Sequence, residues 1–402
     1  IHHNLEAALT ATGVNDASGE TNASAARASA KSRFESTKQR FFNHLLMGMK
    51  APSIIRAIED DLAAGKACVI QVVSTGESLL KRRLETMDPE DELVEGALTP
   101  RDYVLGYLEQ AFPIHAQKLV EIDGNMVAEP LRDETGALVV SREALALRDA
   151  AMMELMTLAP IPSALDQILW AFGDEAVAEV TGRSIRPLKA EDGHLFIEKR
   201  AASSNSSETQ AFMDGEKDIL IFSDAGGTGR SYHAAQTAKN QKRRRHYLLE
   251  PGWRADAAIQ GLGRTHRSAQ VSAPFFRVCT SDVHGEKRFT STIAKRLDQL
   301  GALTKGQRET GSQGMFREED NLESPIARAA LRGYFADLAA GRAEAMSYES
   351  FTDWTALRLI DNDGVLLEEL PPIQRFLNRV LALPIHMQNA LFAEFMRRIA
   401  DQ

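Results

Sequence analysis

Asp-Ile-Leu-Ile-Phe-Ser-Asp-Ala-Gly-Gly-Thr-Gly-Arg-Ser, residues 218–231, decides the fold. Asp218–Phe222 reads as a strand, its apolar run short enough to be buried on both faces. The glycines Gly226, Gly227 and Gly229 follow within four positions. Lacking Cβ, they let main-chain N–H groups come close to a phosphate or a nucleic-acid backbone. Residues 231–238 are expected to continue as a helix starting at this loop. The loop is not a Walker A motif, which needs Gly, four residues, then Gly-Lys-Ser/Thr. Arg230 stands where that Lys would, no Gly occupies the first position, and no other match occurs in the chain. By itself the loop fits a plain strand–helix turn as well.

Upstream, the pattern predicts a helix over 24–49, a break at Pro52, and a second helix to Ala64 capped by Gly65. Ala67–Val73 is a buried strand, the polar Gly turn Ser74-Thr75-Gly76-Glu77-Ser78 follows it, and 79–84 is helical. Helix, strand, turn and helix make an α/β unit on a parallel sheet, whose ligand sites lie beyond the strands' C-terminal ends.

Downstream, 238–246 packs Lys239, Lys242, Arg243, Arg244, Arg245 and His246 together before a strand at 247–249. The run is either a solvated helix end or a phosphate contact, and its place between two strand-end loops favours the second. A helix over 255–261 then leads into Gln260-Gly261-Leu262-Gly263-Arg264-Thr265-His266-Arg267. If helical throughout, Gln260, Arg264 and Arg267 share one face. The planar guanidinium suits phosphate oxygens, and an arginine brought to a γ-phosphate stabilises the transition state of its transfer. The spacing alone fits a salt-bridged helix surface equally well.

The rest of the chain is less specific. Residues 85–210 read as an insertion of mixed α/β character, with a charge run at 88–95 and a hairpin turning at 123–125. Residues 201–209 read as a polar linker. Residues 318–402 are rich in Ala, Leu and Arg and predict four or five helices, at about 325–340, 343–353, 371–382 and 384–401.

Net charge is −9, but it is unevenly spread. Residues 223–317 carry 17 basic and 7 acidic side chains, a local excess of +10, so the remainder stands at −19. A basic middle within an acidic chain is expected where one face meets phosphates. Cys68 and Cys279 each sit in an apolar run and read as reduced core residues, which fits a cytoplasmic protein. No apolar run approaches the roughly 18 residues of a membrane span. No histidine has partners at metal-ligand spacing, so no metal site is read. The chain begins at Ile1 rather than Met, which reads as a fragment or trimmed product.

The strand–Gly loop and the Gln-x-x-Gly-Arg-x-x-Arg stretch resemble the fifth and sixth motifs of superfamily-two helicases, and Ser74–Glu77 lies where the fourth would. Four stretches narrow the resemblance: Phe-Ser-Asp-Ala-Gly-Gly-Thr-Gly-Arg-Ser-Tyr-His (222–233), Gly-Trp-Arg-Ala-Asp (252–256), Gln-Gly-Leu-Gly-Arg-Thr-His-Arg (260–267) and Leu-Asp-Gln-Leu-Gly-Ala-Leu-Thr-Lys-Gly-Gln-Arg (297–308). With Lys-Gln-Arg-Phe-Phe (38–42), they resemble the helicase-like C-terminal region of the strawberry notch family, nearer its bacterial and phage or plasmid branch. The resemblance implies an α/β fold: a RecA-like parallel sheet flanked by helices, with an inserted segment and a helical C-terminal domain. The divisions expected are a linker segment at 1–30, the second RecA-like lobe at 31–84 and 211–317, the insertion at 85–210, and the helical domain at 318–402.

The function implied is the second motor lobe of an ATP-dependent helicase or translocase acting on DNA, with RNA as the other possible strand. ATP with Mg²⁺ would be held mainly by a first lobe outside these residues. Arg264, Arg267 and Gln260 are the implied catalytic residues. Asp224, Gly226, Gly227, Gly229, Arg230 and Gly263 would bind or sense the nucleotide. Ser74, Thr75, Thr228, Ser231, Lys239, Lys242, Arg243, Arg244 and Arg245 would hold nucleic acid. The alternative is a non-catalytic binding module derived from such a lobe.

Overall fold

The computed structural model describes residues 1–18, 21, 23–86, 99–122, 125–201, 203–250, 255–299 and 320–402. The charge run at 88–95, positions 123–124 of the expected hairpin, residues 252–254 of the second resembling stretch and residues 300–308 of the last lie outside them. The chain divides into two compact units, residues 1–48 with 78–163 and residues 49–77 with 164–402.

The first unit is mainly helical. It holds α1 (His2–Ala11), the first part of α2 (Ser24–Ala63), α3 (Glu77–Thr86) from its second residue, and α4 (Arg101–Gln110). β1 (Ala67–Gln71) belongs to the other unit; here the strands are β2 (Gln117–Ile122) and β3 (Asn125–Pro130), an antiparallel pair before α5 (Arg142–Met156). Leu5, Leu9, Phe34, Val104, Tyr107 and Leu155 pack into one core. Residues 1–30, expected as a linker, therefore begin with a packed helix. The apolar spacing of Leu5, Ala8 and Leu9 is an i, i+3, i+4 stripe, and all three are buried.

α2 also departs from expectation, since Pro52 lies within one continuous helix instead of separating two. An interior proline costs about 3 kcal/mol through its missing N–H and ring clash. Beyond it Ile54 and Ile58 are buried. Each such side chain contributes roughly 1.5–3 kcal/mol, enough to hold the helix together.

The second unit is built on five parallel strands in the order β4-β7-β1-β8-β9. Around them run α6 (Ala164–Phe172), β4 (Val177–Val180), a hairpin of β5 (Ile185–Lys189) and β6 (Leu195–Lys199), α7 (Ser204–Asp214), β7 (Ile219–Phe222) and the single turn α8 (Asp224–Gly227). β8 (Arg244–Leu248), α9 (Ala255–Leu262), β9 (Phe275–Val278) and α10 (Lys287–Gln299) complete the sheet region. β1, β4 and β7 are buried at every position, as strands covered by helices on both faces must be. This is the RecA-like α/β sheet that the resemblance implied. Residues 164–210, read as the end of an insertion, instead supply the edge strand β4. The polar stretch read as a linker is α7, which ends on Gly215 in the left-handed region at φ 83°.

α11 (Pro325–Ala339), α12 (Tyr348–Thr355), α13 (Ile373–Val380) and α14 (Ile385–Ala400) follow, close to the four helices expected. Their core of Tyr334, Phe335, Phe351, Phe376, Phe392 and Phe395 is fully buried. A contact at Gly285 ties this layer to the sheet. Its N–H donates to Gln388 Oε1 at 2.8 Å, and a Cβ there would fall 1.9 Å from that oxygen. Among the described residues no helix is long and apolar enough to cross a membrane.

Candidate nucleotide and nucleic-acid site

The chain leaves β7 at Phe222 and turns immediately. Ser223 is extended, α8 makes one turn with Gly227 N–H donating to Ser223 O at 2.8 Å, and Gly229 takes φ 75°. Two glycines are demanded by close approach. A Cβ on Gly226 would sit 2.4 Å from the Val180 carbonyl oxygen and 2.6 Å from Thr181 backbone carbon. A Cβ on Gly227 would meet the Phe222 ring at 3.1 Å, the Tyr232 hydroxyl at 3.3 Å and Arg264 Nε at 3.5 Å. Gly226 thus serves packing against β4, while Gly227 faces the arginine expected to act at the site.

Residues 231–238 are not helical. Tyr232 N–H donates to Arg264 O (2.7 Å), Gln236 N–H to Ala269 O (3.1 Å) and Val271 N–H to Ala234 O (2.7 Å). The segment passes irregularly beside 264–271, bridged antiparallel at Ala235 and Gln270 and turning at 236–237, with Tyr232 fully in the core beside Phe222. α9 ends at Leu262, so Gln260, Arg264 and Arg267 do not share a helical face. Gly263 N–H closes the last turn on Ile259 O, and Arg264 lies in the turn beyond.

The two arginines differ. Arg264 is half-buried and its Nη1 donates to Arg230 O at 3.0 Å, so it staples the Gly loop to the turn after α9. Its Nε is buried without a partner among the described residues, as are the Tyr232 hydroxyl, Ser223 Oγ and His233 Nδ1 around the same loop. Native interiors leave few polar atoms unpaired, so this group of them is unsatisfied hydrogen-bonding capacity gathered at the loop. Arg267 is exposed; among the described residues its backbone N–H alone is engaged, donating to Gln270 Oε1 at 3.2 Å. Its charge, after burial and Arg244, helps hold the nearby His233 below its usual pKa. Gln260 and Asp224 are exposed. Arg230 folds back on its own loop, donating to Gly226 O (3.0 Å) and Ser206 Oγ (2.8 Å). Thr228 Oγ1 donates to Asp224 O at 2.8 Å, and Ser231 is half-buried.

Ser74 and Thr75 follow β1 at the same end of the sheet, where Val72 N–H donates to Phe222 O at 3.0 Å. Their turn is held by a residue that the sequence did not single out. Glu250, beyond β8, accepts from the N–H groups of Val73 (2.8 Å) and Ser74 (2.7 Å). A glutamate two residues past a strand gives no signal until the pairing of β1 with β8 is known. Equally hidden is a buried ion network under Gly226. Glu179 is bound by Arg183 (2.6 Å), with Arg186 at 3.4 Å and Arg200 at 3.5 Å, and Arg183 also reaches Asp166 at 2.8 Å. Burial alone would raise the Glu179 carboxyl, yet Arg183 first, then Arg200 and the Thr181 hydroxyl, bring it down to about 2. The network fixes the 181–184 loop on which Gly226 rests.

The basic run is elsewhere. In a parallel sheet the chain must return to the N-terminal end before each new strand. Lys239–Arg243 precede β8 and lie at that end: Lys242 pairs with Asp218 at the start of β7, and Lys239 with Asp214. Arg244, expected to touch nucleic acid, is 1% exposed. Its donors are spent on the carbonyls of Tyr232 (2.8 Å), Lys242 (2.7 Å) and Asn240 (2.9 Å), and it lies over the Phe212 ring. Burial lowers its pKa to about 10, which still leaves it charged at neutral pH. Arg245 pairs with Asp61 at 2.9 Å and stacks on Phe275. Arg243 is exposed but bonds Ala273 O at 2.9 Å. The structure therefore unites Ser74, Thr75, the Gly loop and Arg264, and leaves the 239–245 run apart.

Residues 163–402 match the family described as the C-terminal domain on strawberry notch homologues. Protein strawberry notch homolog 1 of Rattus norvegicus is 31% identical over 451 residues, covering 90% of this chain and 35% of its own length. Protein strawberry notch of Drosophila melanogaster is 40% identical over 261 residues, covering 58% of this chain and 16% of its own. Protein FORGETTER 1 of Arabidopsis thaliana is 36% identical over 278 residues, covering 59% and 21%. These relatives are eukaryotic, whereas the resemblance leaned towards a bacterial and phage or plasmid branch. The chain spans about a third or less of the length of each. No solved structure matches it. The chain belongs to the strawberry notch family and carries its helicase-like C-terminal domain.

Proposed function

We propose that this chain is the second motor lobe of an ATP-dependent helicase or translocase acting on DNA or RNA, completed by a first RecA-like lobe that these 402 residues do not contain. The observation behind it is the group of unpaired buried polar atoms at the Gly loop, with the exposed Arg267 close by. ATP with Mg²⁺, held mainly by the first lobe, would supply the phosphoryl group whose hydrolysis drives the motor. On this side Arg267 is the residue with donors to spare for the γ-phosphate, and Gln260 orients the nucleotide or the attacking water. Arg264 has a different part from the one its spacing suggested. Through the Arg230 carbonyl it links the Gly loop to Arg267's turn, so that a change felt by either arginine moves the loop. Asp224, Gly227, Gly229 and Gly263 belong to that coupling. Ser74, Thr75, Thr228 and Ser231 line the same end and hold the nucleic-acid backbone.

The test joins this lobe to its ATP-binding lobe and measures nucleic-acid-stimulated hydrolysis. Arg267→Ala should lower turnover on the order of 10³-fold, as expected of an arginine finger. Near-wild-type turnover overturns the assignment, and no stimulated hydrolysis in either parent or variant would mark the chain as a binding module.

A further inference from the structure

Three buried polar side chains form one line through the second unit. Gln71 closes β1, His246 sits in the middle of β8, and Thr265 follows Arg264 in the turn after α9. Each is 2% exposed or less. Gln71 Nε2 donates to Ala258 O of α9 at 3.4 Å, its Oε1 lies 3.2 Å from His246 Nε2, and His246 Nδ1 lies 2.7 Å from Thr265 Oγ1. Gly261 completes the seat: a Cβ there would fall 2.2 Å from Gln71 Nε2, so α9 rests directly on this side chain. Apolar residues would fill the same space without the desolvation that polar groups cost, so stability alone does not account for the line.

The line has one direction. Burial brings the His246 pKa down to about 3, so the ring is neutral and carries a single N–H. Gln71 spends its amide on Ala258 O and turns its oxygen to Nε2, which must therefore hold the proton. Nδ1 is left as an acceptor, and the Thr265 hydroxyl supplies the hydrogen. The other acceptor in reach of that hydroxyl, Leu262 O at 3.1 Å, takes the Thr265 backbone N–H instead, at 3.3 Å. Reversing any one bond sets donor on donor or acceptor on acceptor at the next, so turning one side chain obliges the others to turn. The two ends of the line lie at the candidate site. Gln71 O accepts from the N–H groups of Leu249 (3.2 Å) and Glu250 (3.3 Å), and the Glu250 carboxylate holds the N–H groups of Val73 and Ser74. Thr265 adjoins Arg264 and stands two positions before Arg267.

We propose that Gln71, His246 and Thr265 are positioning residues that carry the state of the Ser74–Thr75 turn to the Arg264–Arg267 turn, so that a nucleic-acid strand held at the first sets the arginines at the second for phosphoryl transfer. A strand drawing on Ser74 pulls on Glu250 and on the end of β1. Gln71 then shifts against Ala258 and His246, and Thr265 follows with the turn that bears the arginines. None of the three touches the strand or the nucleotide. The proposal rests on the motor reading, which supplies the two events being linked, and adds the path between them.

The test is ATP hydrolysis by this chain joined to its ATP-binding lobe, with a single-stranded oligonucleotide as activator. Thr265→Val keeps the shape and removes the hydroxyl; Gln71→Met removes the amide. Each should cut the oligonucleotide's stimulation of kcat by about tenfold, with KM for ATP and oligonucleotide affinity in the absence of ATP as in the parent. Thr265→Ser keeps the hydroxyl and should restore the stimulation. Because one line carries the effect, the double variant should lose no more than either single one. Losses that multiply in the double variant, or parental stimulation in either single variant, overturn the proposal. So does a loss that Thr265→Ser shares with Thr265→Val. In the full chain, nitrogen NMR of the histidine rings should show His246 protonated at Nε2 and bare at Nδ1, and the opposite tautomer also overturns it. A parent that the oligonucleotide does not stimulate sinks the motor reading and the coupling with it. A stimulated parent that Arg267→Ala slows, beside Gln71 and Thr265 variants that behave like the parent, sinks the coupling alone.

Discussion

The two ends of the central sheet carry arginines in opposite circumstances. At the N-terminal end, Arg244 has its donors on three carbonyls, Arg245 on Asp61 and Arg243 on Ala273. At the C-terminal end, Arg264 keeps an unpaired Nε and Arg267 projects without an ion pair among the described residues. The first end has the greater charge density in sequence, and the second has the unsatisfied capacity. A cluster of cations marks a site only if the fold leaves their donors unspent, which composition does not reveal.

The sharpest way to break this contrast is to remove one arginine from the C-terminal end at a time. Arg267→Ala should cost on the order of 10³-fold in stimulated hydrolysis by the completed motor with Tm unchanged. Arg264→Ala should lower hydrolysis and also stability, by roughly 1–3 kcal/mol, since the Arg230 carbonyl loses its donor. Equal Tm for both variants would mean that Arg264 is no staple.

At the other end the expected loss is one of stability. Arg244→Met strands three buried carbonyls and removes the contact with Phe212, and should cost roughly 3 kcal/mol in urea unfolding. If it weakened nucleic-acid binding without destabilising the chain, the contrast between the ends would be wrong.

The sheet was legible in advance because its strands are apolar runs bounded by turns, and the four C-terminal helices because their stripes and prolines mark their limits. The Gly loop and the arginines were found for the same reason that the family resemblance was: their spacing is dense and local. What failed to show was pairing. Residues 231–238 read as helix because their propensities allow it, yet Tyr232 is held by Arg264 O, 32 positions away in sequence by the numbering. Glu250 and the Glu179 network work through partners brought together only by the strand order.

A pH change reads the ground between the two ends. His246, in the middle of β8, is fully buried, its Nδ1 2.7 Å from Thr265 Oγ1 and its Nε2 3.2 Å from Gln71 Oε1. Burial brings its pKa down to about 3. The unfolded chain, near 6.5, takes up the proton first, so stability is full above that pH and falls as pH drops towards 3. The loss should reach a few kcal/mol by the lower limit, and His246→Gln should flatten the pH 4–6 part of the curve in urea titrations. Since Thr265 adjoins Arg264, a loosened turn should lower hydrolysis along with stability.

Gly226→Ala should cost about 1–3 kcal/mol, because its Cβ would press on the Val180 and Thr181 backbone, which the strand and its ion network do not let move.

The smallest effect separates the ends most cleanly. Lys242 and Lys239 are exposed and paired across the surface with Asp218 and Asp214. Such pairs contribute about 0–1 kcal/mol because water screens them and two long side chains must be ordered. Lys239→Ala with Lys242→Ala should therefore leave Tm within a degree or two and, lying away from Ser74 and the Gly loop, should leave the salt dependence of oligonucleotide binding unchanged. A slope flattened by about 1 or more would restore this run to the nucleic-acid surface, and with it the reading its density in the sequence first invited.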